Sequence, residues 1–81
     1  MLIKEEIRFA GDHVRPDDKK TFRFEGSTTS LHAHATVFGP TGPSTFLEIT
    51  TTEQPGDTDL LVAARARSWI TGLIDRHEGV A

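Results

Sequence analysis

Behind four segments with strand-like alternation, the chain ends in one stretch whose apolar residues recur at helical spacing. At 100° per residue Val62, Ala63, Ala66, Trp69, Ile70, Leu73 and Ile74 fall in one stripe, and Arg65, Ser68, Thr71, Gly72 and Asp75 lie opposite. The spacing predicts a helix from about Asp57 to Arg76. A lone helix with one apolar stripe must cover something apolar, and only the preceding strands offer a partner. Asp57 or Thr58 suits the N-cap and Asp59 the first turn, while Arg76 and His77 suit the C-terminus.

The strands follow from period-two patterning. Leu2 to Phe9 places Ile3, Ile7 and Phe9 on one face with Glu5, and Lys4, Glu6 and Arg8 on the other, as an edge strand does. Gly11 to Lys20 (GDHVRPDDKK) reads as a solvated loop interrupted by Pro16. Thr21 to Glu25 turns Phe22 and Phe24 inward, and Leu31 to Phe38 turns Leu31, Ala33, Ala35 and Val37 inward, leaving His32, His34, Thr36 and Phe38 outside. Gly39-Pro40-Thr41-Gly42-Pro43 reads as a turn. Thr45 to Thr52 is the last strand, with Leu47 and Ile49 expected inward and Phe46, Glu48 and Thr50 outward. Short connections favour a meander. The expected fold is α+β: a four-stranded antiparallel sheet, β-β-β-β-α, with the C-terminal helix packed on one face. No internal repeat or low-complexity tract divides it, so residues 1–81 read as a single domain.

At 81 residues the chain has room for one thin core, and without cysteine neither a disulfide framework nor a thiolate metal site supports it. Packing or a second subunit must supply the stability, so a homodimer is among the expected arrangements. The net charge of −3 and pI near 5.7 disfavour a general polyanion binder. No apolar run reaches the ~18 residues of a membrane span, and Met1 to Glu6 has no signal-peptide core. The expected location is the cytoplasm, with no membrane partner.

Candidate chemistry is sparse. His32 and His34, at i and i+2 on a strand, send both imidazoles to one face, and Glu25 or Glu48 on neighbouring strands is a candidate third ligand. Solvated or partner-facing histidines are the plainer reading, so no metal or other cofactor is expected. Ser27, Ser30, Ser44 and Ser68 lack a nucleophile-elbow context, and the adjacent carboxylates Asp17-Asp18 and Glu5-Glu6 read as solvating charge. The Gly39 to Pro43 segment lacks the lysine and following helix of a phosphate loop. No enzyme is expected, and so small a core leaves little volume for a substrate pocket.

What remains is the sheet face away from the helix, expected to carry Lys4, Glu6, Arg8, Arg23, Glu25, His32, His34, Phe38, Phe46, Glu48 and Thr50. Two exposed phenylalanines among mixed charges have the character of a contact surface. The expected function is a non-enzymatic protein-interaction module, binding itself or a partner protein through Arg23, His32, His34, Phe38, Phe46 and Glu48. A small phage or mobile-element protein that docks on a host protein and inhibits it fits the same features.

Three strands followed by a packed helix, with Gly56-Asp57 leading into Ala63-Ala64-Arg65-Ala66, resemble the C-terminal part of a double-stranded-RNA-binding domain and of small actinobacterial domains of unknown function with that topology. The resemblance implies duplex RNA as a ligand, held by a lysine cluster at the helix start. Here those positions are Asp57, Thr58, Asp59 and Leu60, and an acidic helix start repels phosphate. RNA binding on this scaffold then falls to a patch of Lys19, Lys20, Arg23, Arg65 and Arg67.

Overall fold

The computed structural model describes residues 6–29, 32–40, 42–49 and 58–80. Its elements are β1 (Ile7–Val14), β2 (Thr21–Thr28), β3 (His32–Gly39), β4 (Gly42–Ile49) and α1 (Asp59–Asp75). The strands form one antiparallel sheet in the order β1-β2-β3-β4, and α1 lies on one face, over β1 and β2. This is the expected α+β meander.

The inner face is built by the alternation of the two central strands. Phe22, Phe24, Ala33, Ala35 and Val37 are buried there, together with Phe9 from β1. The helix returns Ala63, Ala66, Ile70 and Ile74 to the same core, with Trp69, Leu73 and Phe46 packed at its margin. Small residues at Ala33, Ala35, Ala63 and Ala66 let the layers approach closely, and the phenylalanines fill the wider part. Gly26 answers a different constraint, the close approach of β3 within the sheet. A Cβ there would sit 2.0 Å from the His34 carbonyl oxygen and 2.7 Å from Ala35 Cα.

Four boundaries differ from the sequence reading. First, β2, expected to end at Glu25, continues through Thr28 and takes Gly26, Ser27 and Thr28 into the ladder. Second, β1 runs on to Val14, so Gly11 to Val14 belong to the ladder and not to a loop. Gly11 stands opposite Phe24, where a Cβ would come 3.0 Å from the Phe24 ring. The residue that looked like a breaker is the one that fits. The expected positions Leu2 to Glu5 lie outside the described residues.

Third, β4 begins at Gly42, which pairs with Gly39 at the end of β3. Gly42 takes φ 113°, a conformation open to glycine alone. This pairing sets Ala35 opposite Phe46, His34 opposite Leu47 and Ala33 opposite Glu48. A one-residue difference in register exchanges the faces of a whole strand. Leu47 therefore lies on the open face, 65 % exposed, and Phe46 and Glu48 belong to the helix-side face, contrary to expectation. Thr50 to Thr52 lie outside the described residues, as does Leu31.

Fourth, the helix begins two residues later and ends one residue earlier than expected. Thr58 caps it, its Oγ1 accepting from the Leu61 N–H at 3.3 Å. At the other end the Glu78 N–H donates to Leu73 O and the His77 N–H to Ile74 O, the 6→1 and 5→2 pattern of a Schellman motif. His77 occupies the left-handed position, φ 58°, that glycine usually fills.

Candidate functional site

Two polar regions emerge, on different surfaces. The first lies where the β1–β2 loop meets the end of α1. Arg15 follows β1 directly and is 1 % exposed. Its Nε donates to Asp18 Oδ1 at 3.2 Å and its Nη2 meets Asp18 Oδ2 at 3.1 Å, a fork on one carboxylate. Its Nη1 donates to the carbonyls of Ile74 and Val80 at 3.3 and 3.4 Å. The guanidinium carbon stands 4.5 Å from the centroid of the Phe22 ring. A planar cation on an aromatic face, with its edge satisfied by oxygens, is the form in which arginine is buried at tolerable cost.

Two further pairs close this end. His13 Nε2 donates to Asp75 Oδ1 and His77 Nε2 to Asp17 Oδ2, each at 2.6 Å. A carboxylate only accepts, so both rings carry their proton on Nε2. Burial pushes the Asp18 carboxyl up. The hydrogen bonds from Arg15 and the Lys20 N–H, with the charges of Arg15 and Lys20, outweigh it and hold the group below its ordinary value. Asp17, Asp18 and His77 bring three potential metal ligands within 4.8 Å of one another. Arg15 already forks onto Asp18 and His77 already donates to Asp17, so both carboxylates are engaged by the protein's own N–H donors.

The second region is the open sheet face. A depression of about 520 Å³ lies over β1, β2 and β3. Its polar lining is Glu6, Arg8, Glu25, Ser27, His34 and Thr36. The volume falls in the range of ligand sites, yet it sits on the sheet surface and not in the core. At its centre Ser27 Oγ donates to Glu6 Oε1 at 2.5 Å. The same oxygen is 3.2 Å from His34 Nδ1 and 3.3 Å from Nε2. Near-equal distances to both nitrogens place Oγ opposite the carbon between them, so neither contact is well aligned.

A carboxylate, a hydroxyl and an imidazole invite comparison with a hydrolytic triad, but the order is wrong. In such a triad the histidine stands between the carboxylate and the hydroxyl and takes its proton. Here the hydroxyl stands between, and its proton goes to Glu6. The main-chain N–H groups beside this hydroxyl and imidazole are also not free to form an oxyanion hole. Ser27 and His34 lie opposite each other on adjacent strands, where main-chain N–H groups serve the ladder.

Around this depression the expected site residues divide. Arg23, His32, His34 and Phe38 lie on the open face, as expected. Arg23 pairs with Glu25 at 3.3 Å and its guanidinium carbon stands 5.6 Å from the Phe38 centroid. Phe38 is 39 % exposed. Phe46 leaves the set because it packs against the core margin, where a Cβ on Gly79 would come within 3.0 Å of its ring. Glu48 leaves it because the register turns it to the helix side. Leu47, consigned to the core by the pattern, takes their place beside His34.

His32 and His34 share a face, as their spacing requires, but neither points to a metal. His32 Nδ1 lies 3.1 Å from Thr29 Oγ1, and Glu48, a candidate third ligand, is on the other face. The cations of the RNA-binding reading are dispersed: Arg23 is on the open face, Lys19 and Lys20 are in the β1–β2 loop, and Arg65 and Arg67 are on α1 across the sheet. Among the described residues no helix is long and apolar enough to cross a membrane. Comparison with protein-family models, with curated proteins and with solved structures finds no match to this chain.

Proposed function

We propose that the protein is a non-enzymatic interaction module that binds a partner protein through its open sheet face. One observation carries the reading: Leu47 and Phe38, both exposed, flank a polar depression on the face that the helix leaves uncovered. Apolar anchors beside a patch with hydrogen-bonding capacity are the composition of a protein contact. The depression supports the same reading by its contents. Its Ser27 hydroxyl is committed to Glu6 and is not aligned on His34.

Arg23, His32, His34, Phe38 and Leu47 form the proposed contact set, and no cofactor takes part. Capture of a defined partner from the source cells is the test. Leu47→Asp and Phe38→Ser are expected each to weaken capture at least tenfold while thermal unfolding stays near that of the unsubstituted protein. Capture unchanged in both variants overturns the assignment of this face.

A further inference from the structure

The backbone pairing fixes which groups the free edge of β1 presents. Arg15 N–H donates to Lys20 O at 2.8 Å, so residues 15 and 20 form a hydrogen-bonded pair. Counting back along the antiparallel ladder, His13, Gly11, Phe9 and Ile7 direct their N–H and C=O groups to β2. Arg8, Ala10, Asp12 and Val14 direct theirs outward. The same residues carry their side chains on the open face.

Two of these four are charged, with opposite signs, and they stand symmetrically about Ala10. Among the described residues neither Arg8 nor Asp12 makes an ion pair or a side-chain hydrogen bond. The contrast with the neighbouring strand is direct: Asp12 lies opposite Arg23, yet Arg23 turns to Glu25 and Phe38.

The geometry points to a second copy of this chain as the occupant of the β1 edge, paired antiparallel about a two-fold axis at Ala10. In that register Ala10 faces its counterpart, and Arg8 of each copy faces Asp12 of the other. Both are hydrogen-bonded pairs, with Cα atoms about 5.5 Å apart. A two-fold contact requires a self-complementary surface, and an edge reading plus, small, minus at i, i+2, i+4 is one. On the inner face Phe9 comes opposite Gly11, which has no Cβ to obstruct it.

The helix position agrees. Strands are spaced about 4.8 Å apart. A helix lying over the gap between β1 and β2 is half a spacing inside β1, and the axis is half a spacing outside it. The two helix axes are then about 10 Å apart, the separation of packed helices. The Asp75 contact with His13 turns one flank of α1 toward this edge. At helical spacing that flank continues through Thr71, Ser68 and Ala64 to Leu60. Leu60, 76 % exposed in the single chain, stands at the end of this flank. The dimer deepens the interaction-module reading by joining two open faces into one of eight strands.

The test is the solution mass and its response to charge reversal. Sedimentation at tens of micromolar is expected to give twice the 8.9 kDa chain mass. Arg8→Asp and Asp12→Arg are each expected to weaken association at least tenfold, and the double reversal to restore it to within about threefold. Both residues are exposed strand positions, and recovery in the double variant rules out misfolding as the cause of the single losses. The chain contains no cysteine, so Ala10→Cys is expected to give one intermolecular disulfide on oxidation, the Cα separation suiting the bond. A monomer at 100 μM overturns the proposal, and so does a dimer indifferent to the reversals. Leu47→Asp separates the two readings. It should abolish partner capture and leave the mass doubled, whereas dissociation by Leu47→Asp moves the contact off the β1 edge. A monomeric protein that still captures its partner refutes the dimer alone.

Discussion

The described residues contain two arginine–phenylalanine–carboxylate trios made of the same chemistry and put to different ends. Arg15 stands over Phe22 and forks onto Asp18. Arg23 stands over Phe38 and pairs with Glu25. In the first trio the arginine and the ring are buried and only the carboxylate reaches the surface, whereas the second trio faces solvent. What separates them is the Ile74 and Val80 carbonyls, which reach Arg15 from the far end of the chain. Each arginine finds its carboxylate within three residues and its ring on a neighbouring strand; only the last turn of α1 and the segment after it supply the backbone acceptors that let one be buried. The comparison teaches that a cation is structural when backbone acceptors converge on it, and free for recognition when its carboxylate and ring leave it in solvent.

Substitutions should separate the trios by the size of their effect. Arg15→Ala removes a desolvated cation–π contact and leaves two carbonyls without their donor. It should cost about 3 kcal/mol, read from chemical denaturation. A loss below about 1 kcal/mol would mean that the end of α1 is held by the histidine pairs instead. Asp18→Asn should come second and depend on pH. The Asp18 carboxyl is held below its ordinary value of 3.8 in the folded state, so its contribution is present above that value. It disappears as the pH falls through the folded-state value. Wild type and variant should therefore differ at pH 7 and converge in strong acid; a gap that widens on acidification would reverse the assigned sign. Arg23→Ala should cost less than about 1 kcal/mol, because its ring contact and ion pair are solvent-exposed. Leu47→Asp should change stability least, by under about 0.5 kcal/mol, since most of that side chain is already in water. A large loss at either position would place the open face among the elements that hold the fold.

The meander and its helix were legible because both rest on periodicity, and Phe22, Phe24, Ala33, Ala35 and Val37 alternate without exception. The faces of β4 were not. Phe46, Leu47 and Ile49 are all apolar, so hydrophobicity does not choose between the two registers. The deciding signal was the turn. Gly39 and Gly42, as a closing pair around Pro40 and Thr41, set the register, and Pro43 marks the strand as an edge whose missing N–H points away from the ladder. The Arg15 trio was hidden for another reason. GDHVRPDDKK has the composition of a solvated loop, and nothing local announces that the Ile74 and Val80 carbonyls will come to rest over its arginine. His34 is legible from its strand position, whereas nothing local in the sequence shows that the Ser27 hydroxyl will meet Glu6, just before β1, and His34 from β3.

The span of the Arg15 contacts also sets an order of assembly. Its backbone acceptors lie 59 and 65 residues downstream, whereas each strand of the meander pairs with the next one made. At synthesis rates of about 5–20 residues per second, roughly 3 to 13 s pass between the appearance of Arg15 and that of Val80. Throughout that interval the arginine has Asp18 and Phe22 within reach but no carbonyls to close over it. Hairpins can come and go on the nascent chain, while the step that seals the core waits for its last residues to be made.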